Sequence, residues 1–518
     1  MDNQRTKQVV IAGGGITGLS AAYYIEQFCR ANDVAAELII VEKNDRFGGH
    51  VHTGKRDGFV IERGPDSFLA RKTSIIELMQ ELGMGEELVG TRPGVSHSYI
   101  AYRNKLHPIP DGFMLGVPTK WKPFVTTRLL SLRGKVRAAA DLVLPRRSSR
   151  EDESLGQLLR RRLGDEVLEQ IAEPLLAGIY AGNADGLSVQ ATFPMLQETE
   201  QKHRSLIVGM LGVRKSRAPK QTVKPTAQTT TESTSQPTTI SATRPAPKPA
   251  SKPSGTATRS MFLSARGGLE GVVTQLEQTL SSTAHLIRNT AISRVSKAEQ
   301  EQGKDTIRYT VQFNNGTTLA ADAVVVATPA YAAADMLAHE HEAIAEHLRA
   351  IPYASVMNVV LAYSEQDVGV SLNASGFVVP RKEERKITAC TWTSSKWEHT
   401  APKGHILLRA YVGKYGRDPM SHQLTDEEII AEVRRELQDT IGISAEPVFT
   451  EINRLPLSMP QYQVGHLKRI AEVEKLLEDV MPGVYVGGGG YRGIGVPDCI
   501  SQGKAMAEKV IGTLLGTR

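Results

Sequence analysis

The sequence predicts an α/β chain organised around a dinucleotide-binding fold. Three observations predict it. Near the start, Val9-Val10-Ile11-Ala12-Gly13-Gly14-Gly15-Ile16-Thr17-Gly18 runs from an apolar strand through glycines into a helix. Near the end, Val484-Tyr485-Val486-Gly487-Gly488 and Gly493-Ile494-Gly495-Val496-Pro497-Asp498 repeat the strand, glycine turn and helix. Between them, strand-like alternation surrounds Asn314-Asn315-Gly316, a hairpin signal.

Each glycine of the first motif has a physical task. Gly13 allows the tight turn, Gly15 lets a pyrophosphate approach the backbone, and Gly18 lets helix and strand pack closely. Gly14, Ile16 and Thr17 complete the loop and the first helical turn. The helix start offers amide donors and a partial positive charge. The second strand, Leu38-Ile39-Ile40-Val41, ends at Glu42, an acceptor suited to ribose hydroxyls.

Further along, 73–90 reads as helical and 91–210 as mostly helical, with a Pro-rich turn at 108–118. Residues 216–258 are dominated by Pro, Thr, Ser, Ala and Lys. Such a stretch buries too little apolar surface to offset ordering, and it reads as a disordered insert. Strands are expected at 305–327, 387–393 and 406–412, an amphipathic helix at 425–441, and a final helix from about 499 to 515.

Composition narrows the function classes. The chain has 518 residues, enough for two or three domains. No apolar run is long enough to span a bilayer, and Met1–Lys7 is polar, unlike a signal peptide. Cys29, Cys390 and Cys499 lack metal spacing and read as reduced thiols of a cytoplasmic protein. The net charge is +6, yet 116–150 and 214–259 carry +8 each, which leaves −10 elsewhere. Local basic segments on an acidic body argue against general nucleic-acid binding. Residues 116–150 interleave their charge with Trp121, Phe124, Leu129, Leu130 and Val143. They suit either an anionic membrane surface or a solvated helical face.

The glycine fingerprint alone leaves NAD or FAD open. Asp45-Arg46-Phe47-Gly48-Gly49-His50 follows at once, and Arg46 with Gly48-Gly49 resembles the extended flavin signature of amine oxidase-type flavoproteins. Four more strings are similar to the oxygen-dependent protoporphyrinogen oxidase family: Gly64-Pro65-Asp66-Ser67-Phe68, 173–182, Glu200-Gln201-Lys202-His203-Arg204-Ser205 and Thr388-Ala389-Cys390-Thr391-Trp392. Within it, the likeness is greatest to the Gram-positive coproporphyrinogen III oxidase branch. It covers nearly the whole chain except about 214–259.

The resemblance implies a discontinuous Rossmann-like FAD-binding domain from 1–90, 261–300 and 446–518. It implies a mixed-sheet substrate domain at 301–445 and a helical, membrane-binding-like region at 91–210, with the insert at 211–260. It implies FAD contacts at Gly13, Gly14, Gly15, Ile16, Thr17, Gly18, Glu42, Lys43, Arg46, Gly49, His50, Gly64, Pro65, Asp66, Ser67, Ile292, Leu455, Ile494, Gly495 and Val496. Two of these depart from the family pattern: His50 stands where Arg or Lys is usual, and Leu455 where Trp often is.

The implied reaction removes six electrons from a porphyrinogen in three flavin cycles, with oxygen reduced to hydrogen peroxide. Flavin carries that chemistry, so no side chain is assigned as catalytic. His203 is either a proton acceptor or a structural histidine. Arg71 and Lys72 are candidates for propionate recognition, or a solvated pair at a helix start. Gly178, Ile179 and Tyr180 resemble the segment lining the porphyrinogen pocket, or they are ordinary helix packing. Coproporphyrinogen III is the expected substrate, with protoporphyrinogen IX as the alternative. A flavin amine oxidase, a carotenoid desaturase and a non-catalytic porphyrin-binding flavoprotein are the competing readings. By analogy, the partners are a ferrochelatase and a second copy in a homodimer.

Overall fold

The computed structural model describes residues 5–95, 97–217, 260–298, 308–416 and 424–516. Five parallel strands form the first sheet, in the order Ala284–Ile287, Ala36–Val41, Lys7–Ala12, Ala323–Val326 and Val484–Val486. Side chains alternate across a strand, so each strand feeds two cores. Val9, Ile11, Leu38, Ile40 and Val325 face one core, with the helices Ile16–Ala31, Glu270–Leu280 and Val496–Leu514. Val10, Ala12, Ile39, Val41 and Val324 face the other, with Ala330–Leu337, Glu342–Arg349 and His466–Val480. Burial on both faces explains the continuous apolar runs of this parallel sheet. The first and last helices touch closely at Gly503, where a Cβ would stand 2.7 Å from Thr17 O.

The second large sheet has seven strands, in the order Phe449–Pro460, Tyr353–Ser364, His405–Val412, Ile387–Trp392, Gly376–Val378, Tyr99–Tyr102 and Lys105–Pro108. The helix Asp426–Ile441 covers it, burying Ile429, Val433 and Leu437. A capping box of Thr425 and Glu428 starts this helix and Gly442, at φ 79°, ends it. A third, helical body packs around Leu155, Leu158, Val167 and Ile171.

Three sequence boundaries differ from the sheets. Strands Tyr99–Tyr102 and Lys105–Pro108, placed in the helical region by the sequence, belong to the seven-stranded sheet. Their turn, Arg103–Asn104, takes φ of 51° and 56° without a glycine, so the usual hairpin signal is missing. Tyr309–Phe313, Thr318–Ala321 and Ala323–Val326 join the dinucleotide-binding side, although 301–445 was expected to hold the substrate domain. Conversely, Phe449–Pro460 belongs to the seven-stranded sheet rather than to the C-terminal cofactor segment. Strands of both sheets are equally apolar, so composition does not mark these crossings.

Residues 73–90 form an α-helix only over Ser74–Glu81; Gly83, at φ 75°, stops it, a 3-10 turn follows at Gly85–Glu87, and Leu88–Gly90 is a strand. Of the insert expected at 211–260, residues 211–217 continue the helix Leu206–Arg217. Residues 218–259 lie outside the described residues. No described helix is long and apolar enough to cross a membrane.

Candidate dinucleotide and substrate site

The site gathers at the carboxyl ends of the parallel strands, where open α/β sheets bind ligands. Gly13, at φ 101°, turns the chain, and its N–H donates to Val41 O at 2.8 Å. A Cβ at Gly18 would lie 2.0 Å from Gly13 O, so helix and turn pack too tightly for any side chain there. Gly15 is different. Its φ of −69° suits any residue, and a Cβ would meet only Gly49 Cα, at 4.0 Å. Protein packing does not demand a glycine at this position; a ligand that must touch the backbone does.

The helix beginning at Ile16 has no side-chain cap. An uncapped helix start between two glycine backbones supplies the donors that a pyrophosphate needs. Glu42, 5% exposed, orders the loop: Oε2 accepts from Gly14 N at 2.9 Å, and Oε1 accepts from Asn44 N at 3.0 Å. Thr290 N donates to Glu42 O at 3.1 Å, which ties the start of the strand holding the buried Ile292, two residues on, to the Glu42 end of the loop. These residues fit a bound dinucleotide.

Arg46 has its bonds within the loop. Nη1 donates to Phe47 O and Val51 O at 3.0 and 3.1 Å, and Nη2 donates to Gly49 O. It shapes the Gly48–Gly49 turn from inside. Phe47 lies under Gly14, where a Cβ would be 2.1 Å from its ring. Lys43 and His50 are exposed on the same loop. Partial desolvation within the loop, then Arg46 and Lys43, lower the His50 pKa from its usual value. Gly64 passes beneath His50, since a Cβ there would sit 1.8 Å from His50 O.

After Pro65, Asp66 meets the second sheet. Ser67 Oγ donates to Asp66 Oδ1 at 2.7 Å, and Arg409 lies 3.4 Å from Oδ2. Burial raises the Asp66 pKa, but Lys396, Arg409 and the Ser67 hydrogen bond outweigh it and hold the carboxyl below its usual range. Arg409 is fully buried and also donates to Gly64 O at 2.8 Å. Sequence reading did not single out Arg409, because a lone Arg in an apolar strand has no motif.

The C-terminal turn closes the site. Gly488 and Gly493 take φ of 125° and 131°, and the helix Val496–Leu514 starts at Gly495 without a side-chain cap. Lys72 Nζ holds both Asp498 oxygens, at 2.7 and 2.5 Å, while Arg71 is exposed beside it. Ile494 packs against Tyr180, Leu187 and Tyr462. The segment expected to line the substrate pocket therefore shares an apolar cluster with the C-terminal glycine turn. A π-turn at Leu168–Ala172 precedes that segment, and Gly178 and Ile179 are exposed at its end.

Leu455 lies in the seven-stranded sheet opposite Val356. His203 is exposed at the end of the helix Pro194–His203. The motif around it is knitted by its other members: Glu200 pairs with Arg161, and Ser205 Oγ donates to Asp141 Oδ2 at 2.6 Å. Among the described residues, no three His, Cys, Asp or Glu side chains form a metal-binding group.

Sequence and structure comparisons agree on the kind of site. The flavin containing amine oxidoreductase family matches residues 16–511. The chain is 43% identical over 505 residues to the coproporphyrinogen III oxidase of Bacillus subtilis (strain 168), covering 98% of each. It is 27% identical over 518 residues to the chloroplastic protoporphyrinogen oxidase of Nicotiana tabacum, covering 98% of this chain and 85% of that one. A solved structure from Exiguobacterium sp. 255-15, whose name places it with the protoporphyrinogen oxidases, superposes with a TM-score of 0.80 at 35% identity, covering 98% of both chains. The chain thus belongs to the flavin containing amine oxidoreductase family, with FAD as its cofactor.

Proposed function

We propose that the chain oxidises coproporphyrinogen III to coproporphyrin III in haem biosynthesis. One observation carries the reading: Tyr180 of the substrate segment and Ile494 of the cofactor turn pack in one cluster, in a chain 43% identical to a coproporphyrinogen III oxidase. The bound FAD supplies the two-electron acceptor for each of three oxidation cycles. Six hydrogens leave the porphyrinogen, and three molecules of oxygen become three of hydrogen peroxide.

The protein's part is binding, orientation and electrostatics. Gly13–Gly18 and the uncapped helix start would hold the pyrophosphate, and Glu42 would accept from ribose. Arg46 keeps Gly49 at its distance from Gly15. Asp66, with Arg409 and Lys396 behind it, fixes the charge beside the Gly64–Ser67 segment. The helix start at Val496 favours negative charge developing near it. We assign Arg71 and Lys72 to the substrate propionates by the chemistry of their charge, and Gly178, Ile179 and Tyr180 to an apolar wall.

The reading extends to a ferrochelatase that takes the product and to a homodimer. It also extends to peripheral contact with anionic lipid. Trp121, Val125, Leu132, Val136 and Val143 are 48–79% exposed within the basic stretch 116–150, a composition suited to that surface.

The test is aerobic porphyrin fluorescence from FAD-loaded protein, with coproporphyrinogen III and protoporphyrinogen IX compared and autoxidation subtracted. A larger kcat/KM for coproporphyrinogen, with peroxide formed, is expected. Preference for protoporphyrinogen would reassign the substrate. No flavin-dependent rate with either would reject the reading.

A further inference from the structure

We propose that Gln461 and Tyr462 act as one positioning unit, setting the substrate segment that ends at Tyr180 against the cofactor turn Gly489–Gly493. The proposal rests on the functional reading above and goes beyond it, because neither residue belongs to the fingerprint or to the substrate segment.

The geometry is specific. Gln461 is 2% exposed; its Nε2 donates to Tyr180 O at 2.8 Å and to Met459 O at 3.0 Å. Tyr462 is fully buried. Its hydroxyl donates to Gly489 O and accepts from Gly493 N at 3.0 Å. One phenol oxygen thus joins both ends of the glycine turn, and the turn cannot widen without losing one bond. Burial raises the Tyr462 pKa well above its usual value, so the hydroxyl keeps the proton it donates.

The unit is anchored on several sides. Gln461 N donates to Pro352 O at 2.8 Å, and Ser188 N donates to Tyr462 O at 2.7 Å. The Tyr462 ring stacks on His466 with centroids 4.3 Å apart. His466 Nε2 faces Tyr491 O at 2.7 Å, so a second residue of the turn region is held from the same stack. Gly182 keeps room for the arm, since a Cβ there would lie 2.5 Å from Gln461 Oε1.

Gln461 and Tyr462 are adjacent in sequence and rigidly placed. A shift of Tyr180 O is therefore passed to Gly489 and Gly493 through one peptide unit. Reacting centres tolerate such shifts poorly; a misplacement of about 1 Å can cost about 100-fold in rate.

Buried polar side chains are ordinarily hydrogen-bonded, so structure alone would explain the bonds. The test must read something stability does not move. Tyr462→Phe keeps the ring and its stacking but leaves Gly493 N–H unpaired. In the full chain loaded with FAD, it is expected to weaken FAD binding about tenfold and to shift the visible absorption of the bound flavin. Gln461→Leu leaves Tyr180 O unpaired and is expected to raise KM for coproporphyrinogen III about tenfold and, through Tyr462, to weaken FAD binding severalfold. Gln461→Met replaces it if that variant does not fold. In the double variant, the loss in kcat/KM should stay near that of the worse single variant.

Losses that multiply in the double variant would overturn the unit. So would lower Tm values with unchanged flavin spectrum, FAD affinity and KM. A parent protein that binds no FAD or oxidises neither porphyrinogen would reject the functional reading itself. An active parent with indifferent variants rejects only this inference.

Discussion

Lys72 grips both carboxylate oxygens of Asp498, 426 positions away, and so ties the segment after Gly64–Ser67 to the first turn of the last helix. The side chains are 39% and 23% exposed, so solvent screens the pair. Asp498 also raises the pKa of Tyr180, after the larger effect of burial, so its charge reaches the substrate segment. Lys72→Met and Asp498→Asn should each lower stability slightly, with a coupling of about 0.5–1 kcal/mol in a denaturation double-mutant cycle. The cycle also isolates the expected propionate contact. If Lys72 receives a propionate, Lys72→Met still raises KM in the Asp498→Asn background. A KM that returns to normal there would assign Lys72 to Asp498 alone.

Gly15 and Gly18 should separate ligand binding from folding. Gly15→Ala adopts its φ of −69° freely and meets nothing nearer than 4.0 Å. FAD-free stability should stay within about 0.5 kcal/mol of the parent, while FAD affinity falls steeply. Gly18→Ala drives a methyl to within 2.0 Å of Gly13 O and should destabilise the FAD-free chain as well. Thermal melts with and without FAD decide this; equal losses of stability in both variants would contradict it.

How much of this was legible depended on sequence distance. Gly13, Gly15, Gly18 and Glu42 lie within one strand–helix–strand unit, where spacing carries the geometry. Asp66 and Arg409 meet from 343 positions apart, and no local pattern announces such a pair. The Arg103–Asn104 turn hid two strands because non-glycine residues adopt positive φ there. Leu455 was singled out, whereas Gln461 and Tyr462, a few residues on, were not; their bonds reach Tyr180, Gly489 and Gly493, contacts that no periodicity encodes. The string Glu200–Ser205 was equally visible, yet its meaning is a buried ion network, with His203 left on the surface.

That network gives the third prediction. Glu200 is fully buried and pairs with Arg161 and Arg162. Burial raises its pKa, but Arg161, the Arg147 amide and Arg162 outweigh burial and keep it ionised. Glu200→Gln leaves Arg161 to Glu153 and Arg162 to Asp141, and should cost about 1–3 kcal/mol for the lost charge-assisted bonds. Because no cofactor residue is touched, FAD affinity of the folded fraction should be unchanged. Urea titration followed by FAD binding below the transition reads both; a weaker FAD affinity with intact stability would refute it.

The last prediction concerns two buried groups with opposite pH signatures. Burial lowers the His466 pKa to about 4, with Arg469 and Arg492 adding to it, and the Tyr491 carbonyl and Asp152 opposing. Between its ordinary 6.5 and about 4, the unfolded chain binds a proton that the folded chain refuses. Stability therefore rises with pH across that window, by at most about 3 kcal/mol. Glu62, 4% exposed, is pushed up by burial to about 7, against the Leu269 amide, Thr53 and Arg409. Between 4.5 and about 7, the folded chain holds a proton that the unfolded chain has released. Stability falls with pH there by a similar amount. The two slopes oppose each other over pH 4.5–6.5, so the parent should look nearly flat where they overlap. His466→Phe, which keeps an aromatic ring on Tyr462, should reveal the falling limb. Glu62→Gln should reveal the rising one. Urea midpoints at half-unit pH steps check the signs, and a falling limb in Glu62→Gln would contradict the assignment of either group.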